Sequence, residues 1–137
     1  MPQLEPQAAA LFTDGRNFVH LATLLPDGSP HSIPVWAIYE NDRIAFFTQS
    51  QSRKARNVMR DPRVALSVVD ERNPYRNVQI RGRVVETVEG DEALEVIDRI
   101  SHHFTGAPFP MRSGTVYWID PERVNYVELP FEHSPSQ

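Results

Sequence analysis

The sequence predicts a mainly β chain: a closed antiparallel barrel of about seven strands with three short interspersed helices. Three observations predict it. Runs rich in Val, Ile, Thr and aromatic residues recur along the chain, each bounded by turn residues such as Pro26-Asp27-Gly28-Ser29 and Glu40-Asn41-Asp42. Only three stretches carry helical spacing. The chain of 137 residues, with 40% hydrophobic residues, suffices for one core, and no repeat, linker or low-complexity tract divides it, so residues 1–137 are read as a single domain.

Leu4 to Phe12, rich in Ala, predicts an N-terminal helix. Asn17 to Leu25 predicts a strand ended by the Pro-Asp-Gly-Ser turn, and Pro30 to Tyr39 the next. Pro34 inside it has no N–H to give a ladder, which predicts an edge, a bulge or a break facing a ligand. Arg43 to Gln49 is a third strand, completing a meander. Ser50 to Asp61 reads as a helix that Pro62 stops. Arg63 to Asp70 and Arg76 to Val88 are strands. Gly90 to Phe104 is an amphipathic helix with Ala93, Val96, Ile97, Ile100 and Phe104 on one face. A Gly/Pro loop over Thr105 to Ser113 leads to closing strands at Thr115 to Ile119 and Val124 to Leu129, and Glu132 to Gln137 reads as a frayed tail.

Composition excludes several functions. The absence of cysteine rules out disulfides, thiolate metal sites and a Cys nucleophile. A net charge of −4 argues against nucleic acid as a partner. No apolar run is long enough to span a bilayer, and the N-terminus lacks the pattern of a secretion signal, so the expectation is a cytoplasmic protein with no membrane partner. No Ser–His–Asp pattern or carboxylate pair stands out, so no catalytic side chain is assigned. Adjacent residues on a helix point about 100° apart, so His102-His103 makes a poor chelate and no metal is assigned. His20 and His31 are isolated and read as structural.

The stretch that carries chemistry is Thr48-Gln49-Ser50-Gln51-Ser52-Arg53-Lys54-Ala55-Arg56-Asn57. A strand ends, a polar turn follows, and a helix begins, presenting unpaired N–H groups and the positive end of its dipole. Hydroxyls of Thr48, Ser50 and Ser52 and the charges of Arg53, Lys54, Arg56, Arg60 and Arg63 surround that helix start, against the single acid Asp61. Lys54 is the only lysine beside 13 arginines. Such a helix start suits a phosphate group; the alternative is a solvated basic helix with serine as a plain cap.

Residues 44–54 resemble the cofactor-phosphate segment of the pyridoxamine-phosphate-oxidase-like superfamily, in which an aromatic-Thr-Asn strand end leads to Ser-Arg-Lys on a helix. Asp61-Pro62-Arg63-Val64-Ala65-Leu66 is similar to the start of that family's next strand. Arg76-Asn77-Val78-Gln79-Ile80-Arg81-Gly82 is similar to its Arg-Gln-Val-Arg-Val-x-Gly strand. The matched order runs over roughly residues 18 to 88. The resemblance implies an FMN-binding split β-barrel, Greek-key-like, whose homodimer carries two cofactor sites at its interface. It implies cofactor contacts from Pro34, Val35 and Trp36 along the ring system, from Phe47, Thr48, Ser52, Arg53, Lys54 and Asn57 around the phosphate, and from the amides of Asn77 and Gln79. For Trp36 two roles stay open: stacking on the ring or substrate, or filling a core or subunit interface.

The departures refine the expectation. Where the vitamin-B6 oxidases carry an Arg and a Lys on the second strand, this chain has Ile33 and Ile38. Their C-terminal Trp-and-Arg segment is replaced by Tyr117-Trp118-Ile119-Asp120-Pro121-Glu122-Arg123-Val124 and a short tail. The chain is more similar to the short branch that uses the deazaflavin coenzyme F-420, on the strength of Leu21-Ala22-Thr23-Leu24 before the Asp27-Gly28-x-Pro30 turn, the Ser-Arg-Lys helix with Asn57, and Thr105-Gly106-Ala107-Pro108-Phe109-Pro110. The resemblance implies hydride transfer between that coenzyme and a conjugated small-molecule substrate. An FMN-dependent oxidoreductase on the same fold and a non-catalytic flavin-, deazaflavin- or haem-binding protein are the alternatives. Arg112, in the Pro-rich loop, is a weaker candidate for a substrate anion than for a surface arginine.

Overall fold

The turns written into the sequence form, and they order one sheet. A computed structural model describes residues 3–132; the tail expected from Glu132 onward lies, from His133, outside the described residues. The elements are α1 (Pro6–Thr13), β1 (Val19–Leu24), β2 (Pro30–Val35), β3 (Ile38–Glu40), β4 (Arg43–Thr48), α2 (Arg53–Arg60), β5 (Arg63–Asp70), β6 (Asn73–Val88), α3 (Gly90–Thr105) and β7 (Thr115–Glu128). Asp27 tightens the β1–β2 turn by accepting from the Ser29 amide and hydroxyl, and these bonds hold its carboxyl below the usual range. Asn41 and Asp42 take φ of 52° and 65°, the left-handed pair that matches a tight hairpin to the strand twist.

The sheet order is β2-β1-β5-β6-β7-β4-β3, and every pairing is antiparallel. Its two edges, β2 and β3, are consecutive in the chain and separated only by Trp36-Ala37. The sheet therefore curls until its edges meet along one peptide run, which defines a split barrel. The single strand expected over 30–39 is thus two: its first half pairs with β1 and its second with β4. The break falls just after Pro34, as a residue without an N–H invites.

The expected strands at 115–119 and 124–129 are instead one, β7. Its Pro121 is absorbed where the register against β6 slips between Arg81 and Gly82. A Cβ on Gly82 would lie 2.3 Å from the Asp120 carbonyl oxygen, so the two strands cross there at a distance only glycine allows.

The barrel interior holds the first core. Phe46 and Tyr117 stack at 5.1 Å among Leu21, Ile44, Ile80 and Ile119, all fully enclosed. Leu4, Ala8, Leu11 and Phe12 of the α1 region close one end of it. Asn17 pins that end, donating to the Leu11 carbonyl and accepting from the Glu71 amide. The second core lies outside the sheet, where Ala93, Val96, Ile97 and Ile100 of α3 cover Ile38, Ala45 and Val116 of β3, β4 and β7. Among the described residues, no helix covers the outer face of β1, β5 and β6, where His20, Ala65, Gln79 and Arg81 line an open hollow. Among the described residues, no helix is long and apolar enough to cross a membrane.

Candidate functional site

The break between β2 and β3, the end of β4 and the start of α2 meet at one place. Strand alternation turns Phe46 into the barrel and Phe47 outward, so Phe47 faces the loop after α3 while Thr48 leads into the turn. Gln49 anchors that turn by donating to the Ser113 carbonyl at 2.9 Å. Ser52, with φ −65° and ψ 159°, caps α2 by accepting the Ala55 amide at 3.2 Å. Its oxygen also accepts the Thr48 hydroxyl at 3.0 Å. A serine has two acceptor sites and one proton, so the Ser52 hydroxyl hydrogen is left to donate. The Arg53 and Lys54 amides, at the first turn of α2, bond no carbonyl among the described residues.

The charges of this helix divide into two groups. Arg60 donates to the Leu24 carbonyl and to Asn57 Oδ1, and Arg63 pairs with Asp61 at 2.7 Å. That pairing lowers the Asp61 carboxyl to about 2. Arg53, Lys54 and Arg56 form no ion pair among the described residues. Lys54 is half-buried, and loss of water lowers its pKa from 10.5 with no acid to offset it. A helix start with two open amides, a spare hydroxyl proton at Ser52 and, two residues on, the partly desolvated Lys54 ammonium carries donor types that fit the phosphate end of a nucleotide-like cofactor.

A cleft of about 270 Å³ opens from this corner, lined by Phe18, Pro34, Val35, Trp36, Phe47 and Lys54. Four of the expected cofactor residues, Pro34, Val35, Trp36 and Phe47, therefore share the cleft with the Lys54 ammonium. Thr48 and Ser52 hydrogen-bond each other without lining the cleft, and Arg53 is exposed on the first turn of α2. Trp36 packs as a core residue, stacked on Phe104 at 5.4 Å with planes 5° apart and edge-on to Phe109, and it also lines the cleft.

Three expected residues lie elsewhere. Asn57 is 1% exposed, and its amide is spent inside, donating to Thr23 Oγ1 and accepting from Arg60. It fastens α2 to β1, which is a structural task. Asn77 and Gln79 lie on the outer face of β6, where Gln79 donates to Asn77 at 3.3 Å. Strands β5 and β1 separate them from β2 and Pro34, a gap of about 14 Å at normal strand spacing. One chain alone does not bring them to the cleft.

The sequence reading missed Phe18, Phe104 and Phe109. Phe18 precedes Val19 in an alternating strand and is 55% exposed, an outward aromatic that the period-2 pattern exposes on inspection. Phe104 was assigned to the core face of α3, and it is also the platform for Trp36. Phe109 meets Phe47 edge-on at 4.9 Å from within the Pro-rich loop. Asp98 of α3 holds that loop, accepting the Phe109 amide and both Nη atoms of Arg112. Arg112, the weak anion candidate, is thus committed to Asp98, which holds that carboxyl below its usual range. The depressed pKa means the clamp is complete above the ordinary carboxylate range and lost only as pH falls through the lowered value. Asp98→Asn is expected to loosen the loop at neutral pH and to speed tryptic cleavage after Arg112. An unchanged cleavage rate would show the loop to be held by its aromatic packing alone.

A sheet whose edges are joined by one dipeptide defines a split-barrel protein, with a cationic corner opening on an aromatic cleft at that junction. The family model for pyridoxamine 5'-phosphate oxidase matches residues 4–128, and the chain belongs to that family. Among solved structures it is similar to an F-420 reductase, with 25% identity, a TM-score of 0.76, and coverage of 88% of this chain and 98% of that one. It is also similar to a conserved hypothetical protein from Mycobacterium tuberculosis, with 26% identity, a TM-score of 0.80, and coverage of 99% and 94%. General stress protein 26 from Bacillus anthracis shares the fold at 16% identity, a TM-score of 0.68, and coverage of 88% and 92%. No curated protein matches the chain.

Proposed function

We propose that this chain is an oxidoreductase that binds the deazaflavin coenzyme F-420 and serves hydride transfer to a conjugated small-molecule substrate. The observation that carries the reading is Lys54: a half-buried ammonium without an acidic partner among the described residues, lining an aromatic cleft from the same helix start that carries two open amides and the Ser52 cap. When bound, the coenzyme supplies the hydride. The chain's own residues bind, orient and exclude water. Lys54, Ser52 and the first-turn amides hold the phosphate. Phe47, Trp36 and Pro34 flank the ring, and Phe18 and Phe109 extend that apolar surface to a flat substrate.

Two things favour the deazaflavin. Arg53 and Arg56, without an ion pair among the described residues, continue the positive charge along α2, which suits a tail of phosphate, lactate and glutamates, and the F-420 reductase is a neighbour at 25% identity. FMN in the same cleft is the second reading, favoured by the family match. Ile33 and Ile38 stand where the B6 oxidases carry cations, and Ile38 is buried in the core under α3, which speaks against pyridoxamine phosphate as substrate. Asn77 and Gln79 reach a cleft only if a second copy docks on the bare face of β1, β5 and β6, so the functional unit is proposed to be a homodimer with shared sites. The test is a fluorescence titration of purified protein with each coenzyme separately. Tighter binding of the deazaflavin is expected. Tighter FMN binding would move the assignment to the second reading, and no binding of either would end both.

A further inference from the structure

The loop from α3 to β7 passes the cleft as a strap tied by side chains at three places. At its start, Ser101 donates to the Ala107 carbonyl at 2.7 Å, and Thr105 bonds both polar backbone groups of Ala107. In its middle, Asp98 takes the Phe109 amide and Arg112. Both of these ties belong to α3. The third does not: Gln49 Nε2 donates to the Ser113 carbonyl at 2.9 Å, across 64 positions of sequence. Gln49 is also the first residue of the turn into α2, where its own carbonyl accepts the Ser52 amide at 3.0 Å. One residue therefore closes the turn that carries the phosphate donors and holds the far end of the strap.

The strap bears on the cleft through Phe109. Pro108 and Pro110 fix φ on either side of that residue. Its ring meets Phe47 edge-on at 4.9 Å and Trp36 at 6.5 Å, and both of these line the cleft. Gly106, at φ 78°, starts the strap in a left-handed bend after α3. Gly114 ends it close to Gln49: a Cβ there would lie 3.8 Å from Gln49 Nε2 and 3.1 Å from Ile97 Cδ1. Around this last tie, Gln49, Ser50, Arg112 and Ser113 border a hollow of about 240 Å³. A hydrogen bond, rather than packed side chains, thus joins the strap to the turn. An anion that fixes the turn fixes the Gln49 amide, and through Ser113 it restrains Phe109.

We infer that Gln49 is a positioning residue that couples phosphate at the start of α2 to the strap, so that Phe109 is held against Phe47 and Trp36 when the anchored end of the cofactor is in place. The inference rests on the reading of the α2 start as a phosphate site. The coupling is reciprocal: a held strap also favours the occupied turn. The test is amide hydrogen exchange of the full chain, read by mass spectrometry, in inorganic phosphate against sodium chloride at equal ionic strength. Inorganic phosphate has no ring to touch Phe109, so a response of the strap must pass through the turn. In wild type, phosphate is expected to slow exchange in residues 49–54 and also in residues 106–113. The second effect should be about two- to tenfold, the range for one hydrogen bond. Gln49→Met keeps the length of the side chain, loses the donor, and leaves Ser52, Arg53 and Lys54 in place. In this variant phosphate should still slow residues 49–54 and leave residues 106–113 unchanged. A merely structural role for Gln49 would shift the strap's exchange equally with and without phosphate. That result, or a strap indifferent to phosphate in wild type while residues 49–54 respond, would overturn the inference and leave the phosphate reading intact. A turn that ignores phosphate in both proteins would remove that reading, and this inference with it.

Discussion

Lys54→Ala is expected to weaken coenzyme binding by about 1.5–3 kcal/mol, the cost of losing a hydrogen bond to a charged group, which is about ten- to a hundredfold in Kd. The fold should be unaffected. Burial already disfavours the Lys54 ammonium, and no acid among the described residues pairs with it. The same burial fixes the sign of two pH effects. The folded, ligand-free chain binds the Lys54 proton less readily than the unfolded chain, so its stability rises as pH climbs through the lowered pKa, below 10.5. Coenzyme affinity moves the other way, because the phosphate needs the ammonium and is lost with it. A titration series on the alkaline side, run on wild type and Lys54→Ala, checks this. The wild-type affinity should fall with pH while the variant's lower affinity stays flat. Equal affinities of the two proteins at neutral pH would remove Lys54 from the site.

Gly82→Ala carries the largest expected effect on folding. The added methyl would meet the Asp120 carbonyl oxygen at 2.3 Å, with the Asp120 carbonyl carbon and Ile119 Cγ2 at 3.2 Å. The obstacle is backbone within the β6–β7 pairing, so it cannot swing aside as a flexible side chain would. The strands must part, and a loss of about 3 kcal/mol or more is expected, seen as a Tm lower by about 10 °C. Gly28→Ala is the comparison. It has φ of 85° but nothing within 4 Å, so only the left-handed strain of about 1–2 kcal/mol should appear. Denaturant unfolding of both variants gives the difference directly. A Gly82→Ala protein as stable as Gly28→Ala would mean that the crossing of β6 and β7 relaxes freely.

Much of the site was legible because its chemistry is local. The strand end at Phe47-Thr48, the cap at Ser52 and the cations at Arg53 and Lys54 are close neighbours in sequence, and a strand–turn–helix passage places them together whatever surrounds it. Pro34 announced its break for an equally local reason, a missing N–H. Asn57 was misread because its neighbours in sequence suggested a ligand residue, whereas its partner Thr23 lies on a distant strand. Asn77 and Gln79 are polar and alternate correctly, yet a strand pattern says which face a side chain takes and not which element stands opposite that face. Phe109 gave no periodic signal because its place depends on Asp98, eleven positions earlier on α3.

By itself, the sequence determined the run of strands and helices, the tight turns at Asp27-Gly28 and Asn41-Asp42, and a helix start rich in donors and positive charge. These follow from backbone preferences and charges a few residues apart. Only the tertiary structure decided that the 30–39 run splits into the two edges of one curled sheet, that the 115–129 run stays whole across Pro121, and that Trp36, Phe47 and Lys54 share a cleft. It also decided which arginines are paired, like Arg63, and which, like Arg53 and Arg56, form no ion pair among the described residues. Those outcomes depend on register and packing between segments far apart in the chain, where the free energy of one contact depends on all the others being made.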